Sequence, residues 1–120
     1  MKVVIGGQVD KKEVEALVKE FGGDVETVVK SDVEAAMAVK SGAADYYVGA
    51  CATGGGGALA MARAILGGPQ CETVSMPGRK PSEQKIQEAV NAGKKAFGFT
   101  ADHKRDAVQM IMNALQAKSC

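Results

Sequence analysis

The chain contains no tryptophan, a single histidine, two tyrosines and three phenylalanines among 120 residues. So little aromatic surface excludes a platform on which the bases of single-stranded nucleic acid could stack. Excess charge is lacking too: fifteen Lys and Arg against fourteen Asp and Glu leave a net charge of +1, which speaks against the basic stripe that duplex DNA or an anionic membrane surface requires. Cysteine is scarce and odd in number. Cys51, Cys71 and Cys120 have neither the even count of a disulfide framework nor the spacing of a zinc site. Long apolar runs are missing, and "MKVVIGGQVD" turns polar too soon for a signal peptide or a membrane span. These absences predict a reduced, cytoplasmic protein with no metal and no organic cofactor. The partners they leave are small molecules, with no nucleic acid and no membrane. The length predicts one domain over residues 1–120, large enough to bury roughly two thirds of its unfolded surface.

What is present is an alternation of short β-rich bursts with amphipathic runs. "KVVIGG" reads as a strand buried on both faces. Asp10 is placed to cap a helix over 11–21, which Gly22-Gly23 stops. "DVETVVK" is a second strand, followed by a helix capped by Ser31 or Asp32 and ended at Ser41-Gly42. "DYYVGAC" and "ALAMARAIL" form the third pair, closed by Gly67-Gly68-Pro69. "CETVSM", interrupted by Pro77-Gly78, precedes a helix from Ser82 to Ala92 that Gly93 ends. "KAFGFT" and a last helix from about Asp102 to Lys118 complete the chain. Five βα units predict an α/β, three-layer αβα domain with a five-stranded parallel sheet, in the flavodoxin-like order 2-1-3-4-5.

In such a sheet a ligand sits beyond the carboxyl ends of the strands, where the order reverses, here between strands one and three. Two glycine clusters fall there: Gly6-Gly7-Gln8, and Gly54, Gly55, Gly56 and Gly57 after Cys51. Without Cβ atoms, the stretch from Thr53 to Gly57 can aim several N–H groups at one point, beside the positive end of the following helix. The matching guest is a small anionic metabolite bearing phosphate or carboxylate. One helix terminus contributes only about 0.3–1 kcal/mol at an exposed site, so a cation is expected as well, and Arg79 and Lys80 after strand four can supply it. Helix–sheet packing alone is the lesser reading of the glycines, while Arg79-Lys80 read equally as solvated loop charge. The loop is not a Walker A sequence, since no Gly-Lys-Ser/Thr follows.

Cys51 ends strand three before a helix N-terminus, where positive potential lowers a thiol pKa and suits it to act as base or nucleophile; the other reading is a small buried strand-end residue. Thr53 can bond a ligand or cap the helix. His103 falls beyond strand five on the same edge of the sheet, as a catalytic or a surface residue. Tyr46 and Tyr47 read as core.

Over nearly its whole length the sequence resembles the YhfU-like bacterial family, a domain of unknown function, through "DVEAAMAVKSG", "DYYVGAC" and "TGGGGA". Locally, "CATGGGGALAMA" is similar to the Cys-Gly-Thr-Gly-X-Gly motif of the ribose-5-phosphate isomerase B and galactose-6-phosphate isomerase family. That resemblance implies that Cys51 moves a proton between two sugar carbons, that Thr53 assists ring opening, and that Gly54 and Gly56 stabilise an enediolate. It also implies a homodimer. The chain departs from the motif set at three places: Gly6-Gly7-Gln8 replaces Asp-His, Met76-Pro77-Gly78-Arg79 replaces the histidine after strand four, and Ala62 replaces an asparagine. The expected function is binding of an anionic metabolite, with isomerase- or epimerase-like chemistry at Cys51. The rivals are a non-catalytic binding or regulatory subunit and, behind it, a phosphotransferase IIB-like phosphocarrier, whose cysteine follows strand one, where this chain has Gly6.

Overall fold

The computed structural model describes residues 1–52 and 55–119. The elements run β1 (Lys2–Gly7), α1 (Lys11–Gly22), β2 (Glu26–Val29), α2 (Asp32–Ser41), β3 (Tyr46–Cys51), α3 (Gly55–Leu66), β4 (Cys71–Thr73), α4 (Glu83–Asn91), β5 (Ala96–Thr100) and α5 (Lys104–Ser119). Short 3-10 turns over Gly68–Gln70 and Ala101–His103 lead into β4 and α5. All strand pairings are parallel, and helices cover both faces, giving the expected three layers.

The order within the sheet is β2-β1-β3-β5-β4, which corrects the expected 2-1-3-4-5. The physical reason lies in the last two strands. Every residue of β5 is buried, so it needs neighbours on both sides. β4 has three residues, and its Glu72 and Thr73 are only partly buried; a short strand carrying charge suits an edge. Returning from β4 to β5 also reverses the chain's direction across the sheet, so a right-handed crossover moves α4 to the other face. There α4 buries Ile86, Ala89 and Val90 in one cluster with Val14 and Val18 of α1 and Ile111 and Leu115 of α5. The opposite face holds a smaller cluster built from Ala35, Ala36 and Val39 of α2, Leu59 and Ala62 of α3, and Tyr47.

Helix ends follow local chemistry, with one exception. Ser31 accepts from the Glu34 amide at 3.3 Å and Ser82 from the Lys85 amide at 3.4 Å, as cap residues do. Gly42 closes α2 at φ 86° with its N–H on the Val39 carbonyl. Asp10 occupies the cap position of α1 but forms no side-chain cap bond. Its backbone is left-handed at φ 54°, and its carboxylate instead takes a proton bond from Lys104 Nζ at 3.0 Å. Lys104 also bonds Glu13, so the first turns of α1 and α5 are tied together.

Three glycines stand in register across the central strands: Gly6 of β1 opposite Gly49 of β3, and Gly49 opposite Gly98 of β5. A Cβ on Gly6 would lie 2.5 Å from Tyr47 Cε2, and one on Gly98 2.6 Å from Leu59 Cγ. The bare backbone is what lets the Tyr47 ring and helix α3 lie against the sheet. Gly98→Ala is therefore expected to destabilise the protein by about 1–3 kcal/mol. Gly68→Ala, where an added Cβ meets nothing within 4 Å, should stay within about 0.5 kcal/mol; urea unfolding of both variants checks the pair.

Candidate functional site

The carboxyl end of the sheet is built by β3, its two neighbours and edge strand β4. Cys51 ends β3 and is completely buried. Its register partner is Thr100, the last residue of β5. Side chains alternate between the faces of a strand. Tyr47 and Ala96 both belong to the cluster on the α2/α3 side, so Cys51 and Thr100, each four residues further on, point to that same side. Ser75, just beyond β4, reaches the same corner: its Oγ accepts the Thr100 amide at 3.0 Å and lies 3.1 Å from Thr100 Oγ1. Ser75 and Thr100 are buried to within 1 %.

The 3-10 turn after β5 folds His103 back onto this row, with Nδ1 at 2.8 Å from Thr100 Oγ1. Asp102 Oδ1 stands 3.6 Å from the same nitrogen. The Thr100 hydroxyl, more than His103, holds the Asp102 carboxyl below the usual carboxylate range. Because β5 adjoins β3, His103 is one strand nearer to Cys51 than the sequence implied. Helix α3 starts at Gly55, a short connection after Cys51 ends β3, so its positive end lies at the carboxyl end of the sheet. Gly55, Gly56 and Gly57 form its first turn; Thr53 and Gly54 lie outside the described residues.

The loop after β1 is arranged differently. The Gly7 amide donates to the Tyr47 hydroxyl at 3.0 Å, and the amides of Gln8 and Val9 both donate to the Ala50 carbonyl, at 2.8 and 3.3 Å. Gly7, at φ +83°, has no room for a Cβ against Ala50 N and O, each 2.6 Å away. The Gly7, Gln8 and Val9 amides thus stitch β1 to β3. The Tyr47 hydroxyl in turn reaches Asp32 Oδ1 at 3.5 Å. Burial, and after it the Asp32 charge, push the Tyr47 phenol well above its ordinary pKa.

Arg79 and Lys80 lie beside β4, at the edge of the sheet. Met76-Pro77-Gly78-Arg79 is a tight turn closed by paired Met76–Arg79 backbone bonds at 3.1 and 2.9 Å, with Gly78 at φ 76°. Beyond it, Arg79 and Lys80 line a cavity of about 100 Å³ with Thr73, Ser82 and Lys85, between β4 and the first turn of α4. That volume admits an ion but is well below the few hundred Å³ of a usual ligand pocket. Cys71 is buried at the far end of β4, where burial raises its thiol pKa against the pull of Arg63 and Lys94. Among the described residues no group of His, Cys, Asp and Glu is placed to hold a metal ion, and no helix is long and apolar enough to cross a membrane.

Sequence reasoning singled out Cys51 and His103 and passed over Ser75 and Thr100. A signal was available: each is a hydroxyl residue that directly follows an apolar strand segment, at the end of the sheet where ligands bind.

Comparison with known proteins bears on the whole chain. Residues 1–115 match the family model described as protein of unknown function DUF2620. Uncharacterized protein YhfU of Escherichia coli K12 is 42% identical over 106 residues, 88% of each chain, and the Shigella flexneri protein of the same name matches equally. Among solved structures, ribose-5-phosphate isomerase B from Giardia lamblia superposes with a TM-score of 0.71 over 98% of this chain and 94% of that one, at 17% identity. The Thermotoga maritima ribose 5-phosphate isomerase gives 0.67, covering 97% and 86%, at 15% identity. At such identities the likeness establishes the fold.

The Tyr47 shift predicts a pH dependence. The folded phenol keeps its proton where the unfolded one has lost it, so its contribution to stability is intact below about pH 10 and declines as the pH rises beyond that. The decline is at most about 1.4 kcal/mol per pH unit for one group. Tyr47→Phe should remove this part of the alkaline slope. At neutral pH it should cost about 1–3 kcal/mol, because the buried Gly7 amide loses its acceptor; urea unfolding at neutral and alkaline pH reads both.

Proposed function

We propose, from the premise that the chain belongs to the DUF2620 family of proteins of unknown function, that the carboxyl end of its sheet binds a small phosphorylated or carboxylated metabolite. We propose further that Cys51 is the proton-transfer residue of an isomerase- or epimerase-like reaction. The observation that carries this reading is the register pairing of Cys51 with Thr100. It sets a thiol, a histidine anchored on its neighbour, and the N-terminal end of α3 at one corner. The likeness of the fold to ribose-5-phosphate isomerase B supports a sugar phosphate as the first ligand to try.

The chemistry is self-contained. A cysteine base removes the proton from a carbon next to a carbonyl, and the electron pair moves onto oxygen as an enediolate. The same group returns the proton to the adjacent carbon, so no co-substrate is consumed. The α3 amides face the developing negative charge. The Asp-His after strand one that the isomerase motif set carries is Gly6-Gly7-Gln8 here, and the Gly7 and Gln8 amides are engaged with β3. The reading therefore assigns them no contact with ligand and gives the acid role to His103. Arg79 and Lys80 are kept as cations that steer an anion toward this edge. A homodimer belongs to the same reading, and Val33 and Met37 of α2 with Met61 of α3 give the α2/α3 side the exposed apolar surface that a subunit contact uses.

The second reading, a binding or regulatory subunit without catalysis, is favoured by the complete burial of Cys51. Two variants separate the readings in a thermal-shift series with phosphate, ribose 5-phosphate and small carboxylates. A ligand at 100 times its Kd stabilises by about 2.7 kcal/mol, a Tm rise of about 8–15 °C for a domain of this size. Gly56→Val should abolish the rise, by crowding the first turn of α3. Cys51→Ala should keep it and abolish turnover. No rise with any anion contradicts the site. A rise with turnover unchanged in Cys51→Ala contradicts the role of the cysteine.

A further inference from the structure

We propose that Ser75 and Thr100 are positioning residues that hold His103 as a single neutral tautomer, with its proton on Nε2, so that the histidine serves this corner as a hydrogen-bond donor. The inference rests on the preceding reading only for the use made of that donor.

Counting protons favours one direction for the hydrogen-bond chain. The Thr100 amide is an obligate donor, and its acceptor is Ser75 Oγ at 3.0 Å. Ser75 has one hydroxyl proton of its own to place, and it is completely buried. The acceptor available to it is Thr100 Oγ1 at 3.1 Å. Thr100 then has its own hydroxyl proton to place, and His103 Nδ1 stands 2.8 Å away, a full-strength O–H···N distance. Oγ1 keeps a second lone pair, so the reverse bond, from Nδ1–H to Oγ1, is the arrangement the experiment below tests against. An Nδ1 that accepts carries no proton, so the neutral ring carries it on Nε2.

Asp102 opposes this arrangement. Its Oδ1 lies 3.6 Å from Nδ1, too long for a hydrogen bond, yet its negative charge favours a proton on that nitrogen, and it competes for the Thr100 hydroxyl. Thr100 is therefore the residue that decides the outcome, being the nearer partner of Nδ1 and fixed from behind by Ser75. Among the described residues every buried side-chain nitrogen and oxygen has a partner. His103 Nε2 makes no hydrogen bond among the described residues, which places it at the accessible end of the ring. A neutral imidazole N–H polarises a carbonyl or hydroxyl oxygen without bringing a second positive charge, and it leaves the base role to Cys51.

His103 is the only histidine, so a histidine ¹⁵N spectrum of the untagged protein, taken where the ring is neutral, reports on it alone. The wild type should give one tautomer, with Nε2 protonated and Nδ1 bare. Thr100→Val leaves Asp102 as the nearest oxygen to Nδ1 and should shift the ring to the Nδ1–H tautomer or to a mixture. Ser75→Ala should do the same in smaller measure, and Thr100→Ser should restore the wild-type pattern. A wild-type ring protonated on Nδ1 overturns the proposal, as does an unchanged tautomer in both Thr100→Val and Ser75→Ala. If Thr100→Val does not fold, the wild-type spectrum and Ser75→Ala still decide. The measurement needs no ligand. A correct tautomer with no anion bound would overturn the metabolite-binding reading alone, and anion binding with the wrong tautomer would overturn this inference alone.

Discussion

A side chain cannot fit where Gly6, Gly49 and Gly98 cross the middle of the sheet, and the α2/α3 side of the protein depends on that. The three are in register on neighbouring strands. The Tyr47 ring lies where a Gly6 Cβ would stand, and Leu59 of α3 lies where a Gly98 Cβ would stand. Tyr47 then carries its hydroxyl to the Gly7 amide, which joins the ends of β1 and β3 from the side. Leu59 seats α3 close to the strands, so that its first turn opens immediately beyond Cys51. In a small domain with few aromatics, close approach of backbone and helix replaces bulk in the core, since buried surface rather than residue size is what stabilises.

The same closeness governs the polar corner. A buried hydroxyl needs its bonds satisfied or costs about 1–3 kcal/mol. Ser75 and Thr100 satisfy one another and reach out to His103 in doing so. The corner is thus rigid on the β5 and β4 side and built on the sheet, the arrangement that best positions a reactive group. On the other flank, Lys104 ties Asp10 and Glu13 to the start of α5, so the elements that leave β1 and β5 are held together as well.

Much of this was legible in the sequence, because it is locally encoded. Apolar bursts ended by glycine, serine caps and the glycine stops of helices marked the units, and the glycine stretch after Cys51 marked the start of α3. Lateral order was not encoded that way. Nothing in the periodicity of "CETV" or "AFGFT" states which strand is its neighbour. The difference in length and charge between the two is the one hint, and it weighs only once edge and centre are compared. From the wrong order came the misplacement of His103, a strand too far from Cys51. The interest of Ser75 and Thr100 was hidden for the same reason, since each hydroxyl acquires its role from the other across β4 and β5. Asp10 had the residue type and position of a helix cap, but Lys104, distant in sequence, claims its carboxylate.

The central claim is that the ligand meets the chain where β3 and β5 end. The most direct test is an amide ¹H–¹⁵N titration with inorganic phosphate and with ribose 5-phosphate. The account predicts saturable shifts that move the amides at the start of α3 together with those from Thr100 to His103, while the amides of β2 stay still. Shifts confined to the turn from Arg79 to Lys85, around the small cavity beside β4, would contradict it and relocate the anion to the edge of the sheet.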